Sequence, residues 1–186
     1  MYNWYWCWRG KGSTVGSSVF LTIDADGHVQ RPLASAFLAY ATGSNELNLG
    51  AGAETDIDAD TEVFDLNADY NNSTDTFTAP VSGNYIFISR IRLQNQADHK
   101  YAWLRFKDSG SADDGYLNLR SSKMYGSSMD EFPQQAIVSY DLSAGDTIHF
   151  ECETRHSGGT DTSTVDLIYG ATRSNHHTMI AGYLIG

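Results

Sequence analysis

Short runs of alternating apolar and polar residues recur along most of the chain, separated by clusters of Gly, Ser, Thr, Asn and Asp. No segment sustains apolar residues at i, i+3, i+4 and i+7 over three turns, so the pattern gives little support to a helix. Short strands between turn-rich spacers are typical of an antiparallel sandwich or barrel. The pattern predicts ten strands, over residues 36–40, 62–66, 76–78, 84–93, 101–107, 116–119, 135–142, 147–153, 165–169 and 179–185.

One predicted strand, TIHFEC, shows a clean division between a buried face and an exposed face. Ile148, Phe150 and Cys152 alternate with polar residues, so one face meets a core and the other meets water or a neighbouring chain. We therefore expect Cys152 to be a packed thiol.

The segment NYIFISRIRL differs, because both of its faces are apolar over its first half. Tyr85 and Phe87 share one face, whereas Ile86 and Ile88 lie on the other before Arg90 makes it polar. A strand that is apolar on both sides in an antiparallel sheet needs a second cover. That cover is either another sheet of the same chain or a second subunit.

Composition narrows the possible partners. The chain has 186 residues, which fits one main domain plus a small additional segment. Its formal net charge of −11 argues against binding to nucleic acid or insertion at an anionic membrane. Cys7 and Cys152 are the two cysteines, so a disulfide framework is excluded. Neither a membrane span nor a signal peptide is evident, so we expect export by another route, such as lysis.

Three motifs, TFTAPVSGNYIF, DLSAGDTIHFEC and MIAGYLIG, follow one another along the chain. In this order they resemble the F-T-x-P-x-x-G-x-Y-x-F strand, the L-x-x-G/N-D-x-V/I hairpin and the C-terminal F-S-G-F/Y-L strand of one family. That family is the jelly roll shared by the globular head of complement component 1q and the tumour necrosis factor superfamily. Residues 36–37 and the stretch DLNADYNNSTDTF also resemble its pattern, so the likeness covers residues 33–186. Asp75 and Thr76 depart from it, since the family usually has Gly and then Lys or Arg there.

This resemblance implies an all-β, two-sheet jelly roll of ten strands that assembles as a compact homotrimer. The first and last strands of the head would pair near the trimer axis. This arrangement explains why residue 182 is a glycine, because a glycine within a strand lets a ring or another backbone approach closely. The residues implied in core and trimer packing are Phe77, Gly83, Tyr85, Phe87, Phe150, Gly182 and Tyr183.

Residues 1–32 form a separate anchor or stem segment ahead of the head domain at 33–186. Trp4, Trp6 and Trp8 share one face at period two, and a monomer could hardly hide so many rings on a short segment. We expect this strand to be a buried anchor. The following stretch, SVFLTIDADGHVQRP, predicts a hairpin and resembles the L-R-I-D-S-x-G-x-V units of bacteriophage fibre stems. The matched residues are Leu21, Ile23, Asp24, Gly27 and Val29.

Two acidic stretches are candidate calcium sites. The D-x-D-G start at residues 24–27 favours a hairpin turn, because the twelfth position of a calcium loop would be Ser35 instead of a glutamate. Asp56, Asp58 and Asp60 alternate in DIDADTE, which favours a solvated acidic loop while leaving calcium open. No cofactor is otherwise indicated. Signatures such as G-x-S-x-G, H-E-x-x-H and Walker A are absent, so we predict that the chain is not an enzyme.

Tyr116 and Tyr125 are candidate recognition residues, since aromatic faces bind both sugars and proteins. They fall in predicted polar loops over about 108–130, and the alternative is that they pack at the trimer seam.

The leading hypothesis is a trimeric virion structural protein, a phage fibre head or decoration protein, that binds a host surface glycan or protein. Loops at about 108–130 and 154–164 would meet the host, and the N-terminus would join other virion or fibre proteins. The location would be the virion surface or extracellular. The alternatives are a secreted complement-1q-like recognition protein or lectin, and a purely architectural capsid or filament protein.

Overall fold

The computed structural model describes residues 6–8, 21–23, 26–31, 34–42, 49, 54–96, 99–108, 116–122, 129–156, 166–169 and 177–186. Every regular element within these ranges is a β-strand. The strands are β1 Trp6–Trp8, β2 Leu21–Ile23, β3 Val29–Gln30, β4 Ala36–Tyr40, β5 Glu54–Asp56, β6 Thr61–Asp65, β7 Tyr70–Asn71, β8 Thr76–Thr78, β9 Gly83–Gln96, β10 His99–Asp108, β11 Tyr116–Ser122, β12 Met129–Leu142, β13 Thr147–His156, β14 Asp166–Leu167 and β15 Met179–Leu184.

The described strands form three antiparallel sheets. A small sheet has the order β1-β2-β3. The β11 sheet has the order β11-β10-β13-β8-β7, with β5 also paired to β13. The β12 sheet has the order β12-β9-β15-β4-β6, with β14 also paired to β9. The first strand of the head, β4, pairs with the last, β15. The predicted all-β, two-sheet jelly roll is therefore confirmed.

The core lies between the inner faces of the β11 and β12 sheets. Alternation in each strand sends one set of large side chains inward, and aromatic rings dominate that set. Phe37 stacks on Tyr70 at 4.7 Å and on Phe77 at 5.4 Å between ring centroids. Phe87 meets Phe150 edge to face at 5.9 Å. Such pairs add about 0.5–1.5 kcal/mol each beyond the burial of their area.

Gly182, in the middle of β15, faces two of these rings. A Cβ built on it would lie 2.6 Å from Cε1 of Phe37 and 2.7 Å from Cδ1 of Phe87. Both rings are buried, so neither can move aside without repacking the core. The absence of a side chain at this position therefore allows the ring cluster to form.

Two of the sequence motifs meet at one end of the sandwich. The backbone N–H of Ala79 donates to the carbonyl of Asp146 at 2.8 Å, and the N–H of Gly145 donates to the carbonyl of Ala79 at 2.8 Å. The hydroxyl of Tyr85 donates to the carbonyl of Val81 at 2.6 Å, which ties the turn to the strand that follows it. The Pro-x-x-Gly turn and the L-x-x-G-D hairpin therefore close the sandwich together.

The acidic stretch at 56–60 is not a free loop. Ile57 and Ala59 are fully buried, and the N–H of Ile57 donates to the carbonyl of Phe150 at 2.9 Å. The segment continues β5, an element the pattern did not predict, along β13. The two apolar residues between the aspartates explain this, since they point inward while the carboxylates point out. The strand predicted at 116–119 is confirmed as β11, and β12 begins at Met129, so the loop region predicted at about 108–130 is too wide.

Candidate assembly and recognition surfaces

An apolar row crosses the outer face of the β12 sheet. Strand register places Ile137 of β12 beside Ile88 of β9, then Ala181 of β15, Leu38 of β4 and Phe64 of β6. Ile137 is 62% exposed and Phe64 is 44% exposed. Directly opposite residues in neighbouring strands share one face, so these five side chains form one continuous stripe, which we call the apolar row.

A second set of apolar side chains lies next to the apolar row. Ile86 of β9 pairs with Tyr183 of β15, which in turn pairs with Ala36 of β4. Leu66 follows at the edge, where its N–H donates to the carbonyl of Ala36. Tyr183 and Leu66 are exposed by 43% and 49%. An exposed apolar patch that spans a whole sheet marks an interaction surface in a soluble protein.

A cationic pocket lies beside the apolar row on the same face. It is lined by Arg90, Arg92, Pro133 and His177. A nitrogen of the Arg92 guanidinium lies 2.7 Å from Nε2 of His177. Because a guanidinium can only donate, Nε2 of this imidazole accepts and carries no proton.

A cluster of acidic side chains lies in the segment that leads from β5 of the β11 sheet into β6 of the β12 sheet. The carboxylate of Asp60 accepts from the N–H and the hydroxyl of Thr42 at 2.9 and 2.8 Å. Asp58 lies beside it, and burial together with the Asp60 charge raises the pKa of Asp58. Glu62 is exposed on β6. We call Asp58, Asp60 and Glu62 the acidic edge.

The outer face of the β11 sheet carries an ion-pair network. The Arg105 guanidinium forms ion pairs with Glu54 and Glu153 and lies 4.6 Å from the centroid of the Trp103 ring. Burial, followed by the Glu54 charge, raises the pKa of Glu151 on the neighbouring position of β13. Alternation along the strand predicts that the polar residues of β13 lie on one face, but it does not predict that Glu151 and Glu153 are buried there. The sequence signal that could have indicated this network is the presence of opposite charges at facing positions of β10 and β13.

The structure places the sequence-predicted packing residues in two environments. Phe77, Tyr85, Phe87 and Phe150 are fully buried in the core, whereas Tyr183 is on the outer face of the β12 sheet. Gly83 begins β9, where an added Cβ would lie 3.0 Å from Cδ1 of Leu184. Assignment of any of them to a trimer seam stays a prediction.

The predicted recognition and anchor residues lie mostly at the limits of the described ranges. Tyr116 is the first residue of β11, opposite Lys107 of β10, and is therefore on a strand. Tyr125 lies outside the described residues. Trp6 and Trp8 are in β1, which pairs with β2, while Trp4 lies outside the described part of the chain.

Within the described ranges, no group of three or more His, Cys, Asp or Glu side chains is arranged to hold a metal ion. None of the described segments forms a helix long and apolar enough to cross a membrane.

The fold can be compared with known proteins. No family model matches the sequence, and no curated protein matches it either. Among solved structures, the globular domain of the zebrafish complement 1qA protein is similar with a TM-score of 0.56 and 18% identity, over 82% of this chain and 98% of that one. Murine APRIL at pH 5.0 is similar with a TM-score of 0.55 and 11% identity, over 82% and 99% of the two chains. The chain therefore has the complement-1q and tumour necrosis factor-like jelly-roll fold.

Proposed function

We propose that this protein is a homotrimeric binding head on a virion surface, attached through its N-terminal segment and directed at a host glycan or protein. The observation that carries the proposal is the apolar row. A stripe that runs over all five strands, with Ile137 more than half exposed, is costly to leave in water. Covering a side chain of this size stabilises an assembly by ~1.5–3 kcal/mol.

A closed assembly of copies covers this face on every subunit. Homo-oligomers with closed symmetry leave no copy of an interface exposed, whereas an open arrangement grows into fibres. The resemblance to the complement-1q and tumour necrosis factor heads implies that the assembly has three members. Three copies also multiply weak contacts to a surface, by about 10²–10⁴ in effective affinity.

The virion role is supported by the segment ahead of the head. The hairpin of β2 and β3 carries the stem-like motif, with Gly27 in the left-handed region at φ 85°. That conformation suits the tight Asp-x-Gly turn of such a hairpin. A stem unit directly before a head is the order expected for a fibre or decoration protein.

Light scattering of the intact protein tests the trimer. We expect three times the chain mass at micromolar concentration, and one chain mass for Ile137→Asp with an unchanged circular dichroism spectrum. Val81→Asp is the matched control, because Val81 is similarly exposed at 48% but lies on the turn at the end of the sandwich. A monomeric wild-type protein would contradict the proposal.

Attachment is tested separately. Purified protein added to the particle that carries it should reduce adsorption to host cells, and Ile137→Asp should compete at least tenfold less well because avidity is lost. If deletion of the protein weakens the particle while the purified head never competes, the role is architectural instead.

A further inference from the structure

His177 lies on the outer face of the β12 sheet, where it lines the cationic pocket. It comes two residues ahead of Met179, the first residue of β15, which pairs with Arg90 of β9. The same antiparallel register, extended by two residues, brings His177 level with Arg92, and their side chains are in contact. Alternate residues of one strand share a face, so His177 lies on the same face as Ala181 of the apolar row.

The contact between His177 and Arg92 requires a neutral imidazole. A guanidinium nitrogen of Arg92 lies 2.7 Å from Nε2 of His177, and a guanidinium can only donate a hydrogen bond. An imidazolium carries a proton on both nitrogens and therefore has no acceptor. Protonation of His177 replaces this hydrogen bond by a contact between two cations, which repel each other. Arg90, two residues from Arg92 on the same face, adds to the repulsion.

The charges on the strands packed around His177 are balanced while the imidazole is neutral. Pro133, Met179 and Tyr40, which line or adjoin the pocket, carry no charge near neutral pH. The neighbouring charged positions are Arg90 and Arg92 of β9, Glu131 of β12 and Asp166 of β14. Two carboxylates therefore offset two guanidiniums, and protonation adds one positive charge that no further carboxylate of these described strands offsets.

His177 also lies at a junction between strands. The carbonyl of Arg92 accepts from the N–H of Ile168 at 2.9 Å, and the hydroxyl of Thr178 donates to the carbonyl of Ile168 at 2.7 Å. The N–H of Ala41 donates to the carbonyl of Thr178 at 3.1 Å. A change at His177 therefore acts on the residues that lead into β15, the middle strand of the sheet that carries the apolar row.

We propose that His177 makes the assembly sensitive to pH: the neutral imidazole holds Arg92 and the start of β15 in the arrangement that associates, and protonation releases them and weakens association between copies. The inference rests on the proposed trimer and adds regulation to the same face. An imidazole ordinarily changes its charge at about pH 6.5, so the effect falls between about pH 7.5 and about pH 5.5. Protonation of histidines at an interface is a known way to switch an assembly.

Light scattering of the intact protein as a function of pH tests the regulation. We expect the concentration of half-dissociation to rise about tenfold from about pH 7.5 to about pH 5.5. His177→Gln should assemble like wild type at the higher pH, since its amide carbonyl accepts from Arg92, and should lose most of the rise because it gains no proton. His149→Gln is the matched control and should keep the rise, since His149 lies in the other sheet with Nδ1 3.3 Å from the Thr76 hydroxyl.

Carboxylates elsewhere in the chain titrate equally in wild type and in His177→Gln, so the difference between the two pH curves reports on His177. A trimer with the same pH dependence in both proteins would overturn the inference and leave the proposed function intact. Loss of assembly in His177→Gln at about pH 7.5 would contradict the acceptor role of the imidazole and overturn the inference as well. A monomeric wild type would overturn the proposed function itself.

Nuclear magnetic resonance of the Ile137→Asp protein tests the local step without assembly. The imidazole signal of His177 is identified by its absence from the spectrum of the same protein with His177→Gln. We expect the amide signals of Thr178 and Ile168 to shift with the same midpoint as this imidazole signal, because both residues are joined to Arg92 through the contacts described above. Amide signals that do not change as the imidazole titrates would overturn the local step.

Discussion

Asp75 shows how one residue can replace the glycine of a family pattern. Its backbone is in the left-handed region, at φ 51°, where glycine is favoured and Asp is among the tolerated alternatives. Its carboxylate accepts from the N–H of Ala59 at 3.0 Å and from the hydroxyl of Tyr70 at 3.0 Å. The departure from the family pattern therefore adds a polar link between the turn and the acidic segment.

The same environment makes Asp75 sensitive to pH. Burial raises its pKa to about 6, and the charges of Asp58 and Asp56 act in the same direction, while the bonds from Tyr70 and Ala59 oppose them. Burial also raises the pKa of Tyr70 above its ordinary value. A folded-state pKa above the unfolded one means that the protonated acid stabilises the fold. This stabilisation is complete below about pH 4 and is lost as the pH rises to about 6.

Asp75→Asn should therefore stabilise the protein at neutral pH. The amide keeps the acceptor for Ala59 and Tyr70 but carries no charge, so we expect a gain of about 1–3 kcal/mol at pH 7 and little change near pH 4. Urea unfolding between pH 4 and 8 measures this. Asp141→Asn, at an exposed position on β12, removes the same charge and is the control, which should not reproduce this gain. Equal gains for both variants would contradict the assignment.

Gly182→Ala should destabilise the head by about 1–3 kcal/mol or more, because its methyl group would overlap the rings of Phe37 and Phe87. Thermal unfolding measures the loss. Combining the change with Phe37→Leu tests the cause, since the double variant should lose less than the sum of the two single losses. If the two losses in stability simply add, the alanine at position 182 does not destabilise the head through its contact with Phe37.

At the scale of the elements, the long pair β10 and β13 depends on a buried ion pair. Arg105 and Glu153 retain only 8% and 1% of their side-chain exposure. Arg105→Met should cost about 3–5 kcal/mol, because it removes the guanidinium that forms an ion pair with the buried Glu153 carboxylate. Adding Glu153→Met should recover most of that loss, which a double-mutant cycle measured by urea unfolding would show. No recovery would mean that Arg105 acts mainly through Glu54 or Trp103.

Strands with strong alternation could be predicted from the sequence. In β13 and β9 the inward residues are large, and the turns on either side contain Gly, Asn or Asp. The period of the apolar residues and the positions of the turns therefore both indicate a strand in each segment. Strand β5 could not be predicted, since it is acidic, is three residues long and depends on pairing with β13. Tertiary pairing here overrides a local preference for loop.

The surfaces were less accessible to sequence reasoning than the strands. The double-sided pattern of Ile86 and Ile88 indicated an apolar outer face, because alternation alone assigns faces. The apolar row also requires Ile137 and Phe64, and the register that unites them comes from pairing between distant segments. The cationic pocket has the same origin, since His177 and Arg92 are brought together only by the fold.

At the scale of the whole molecule, the N-terminal segment should be separable from the head. We predict that removing residues 1–32 leaves the number of chains in the assembly and the unfolding midpoint of the head unchanged within error, because the apolar row and the core of the described residues lie within residues 36–184. Particles assembled in the presence of the shortened protein should not incorporate it, since the anchor is missing. Loss of assembly on truncation would show that the stem contributes to the trimer.

The position of β15 has a consequence for synthesis. This strand inserts between β9 and β4, so until residues 179–184 leave the ribosome both neighbours present bare backbone edges. Such edges are templates for pairing with other chains, and contacts this distant in sequence form slowly. Nascent chains on the same messenger RNA are therefore most prone to aggregate just before β15 becomes available for pairing. Their dependence on chaperones should be greatest at that stage.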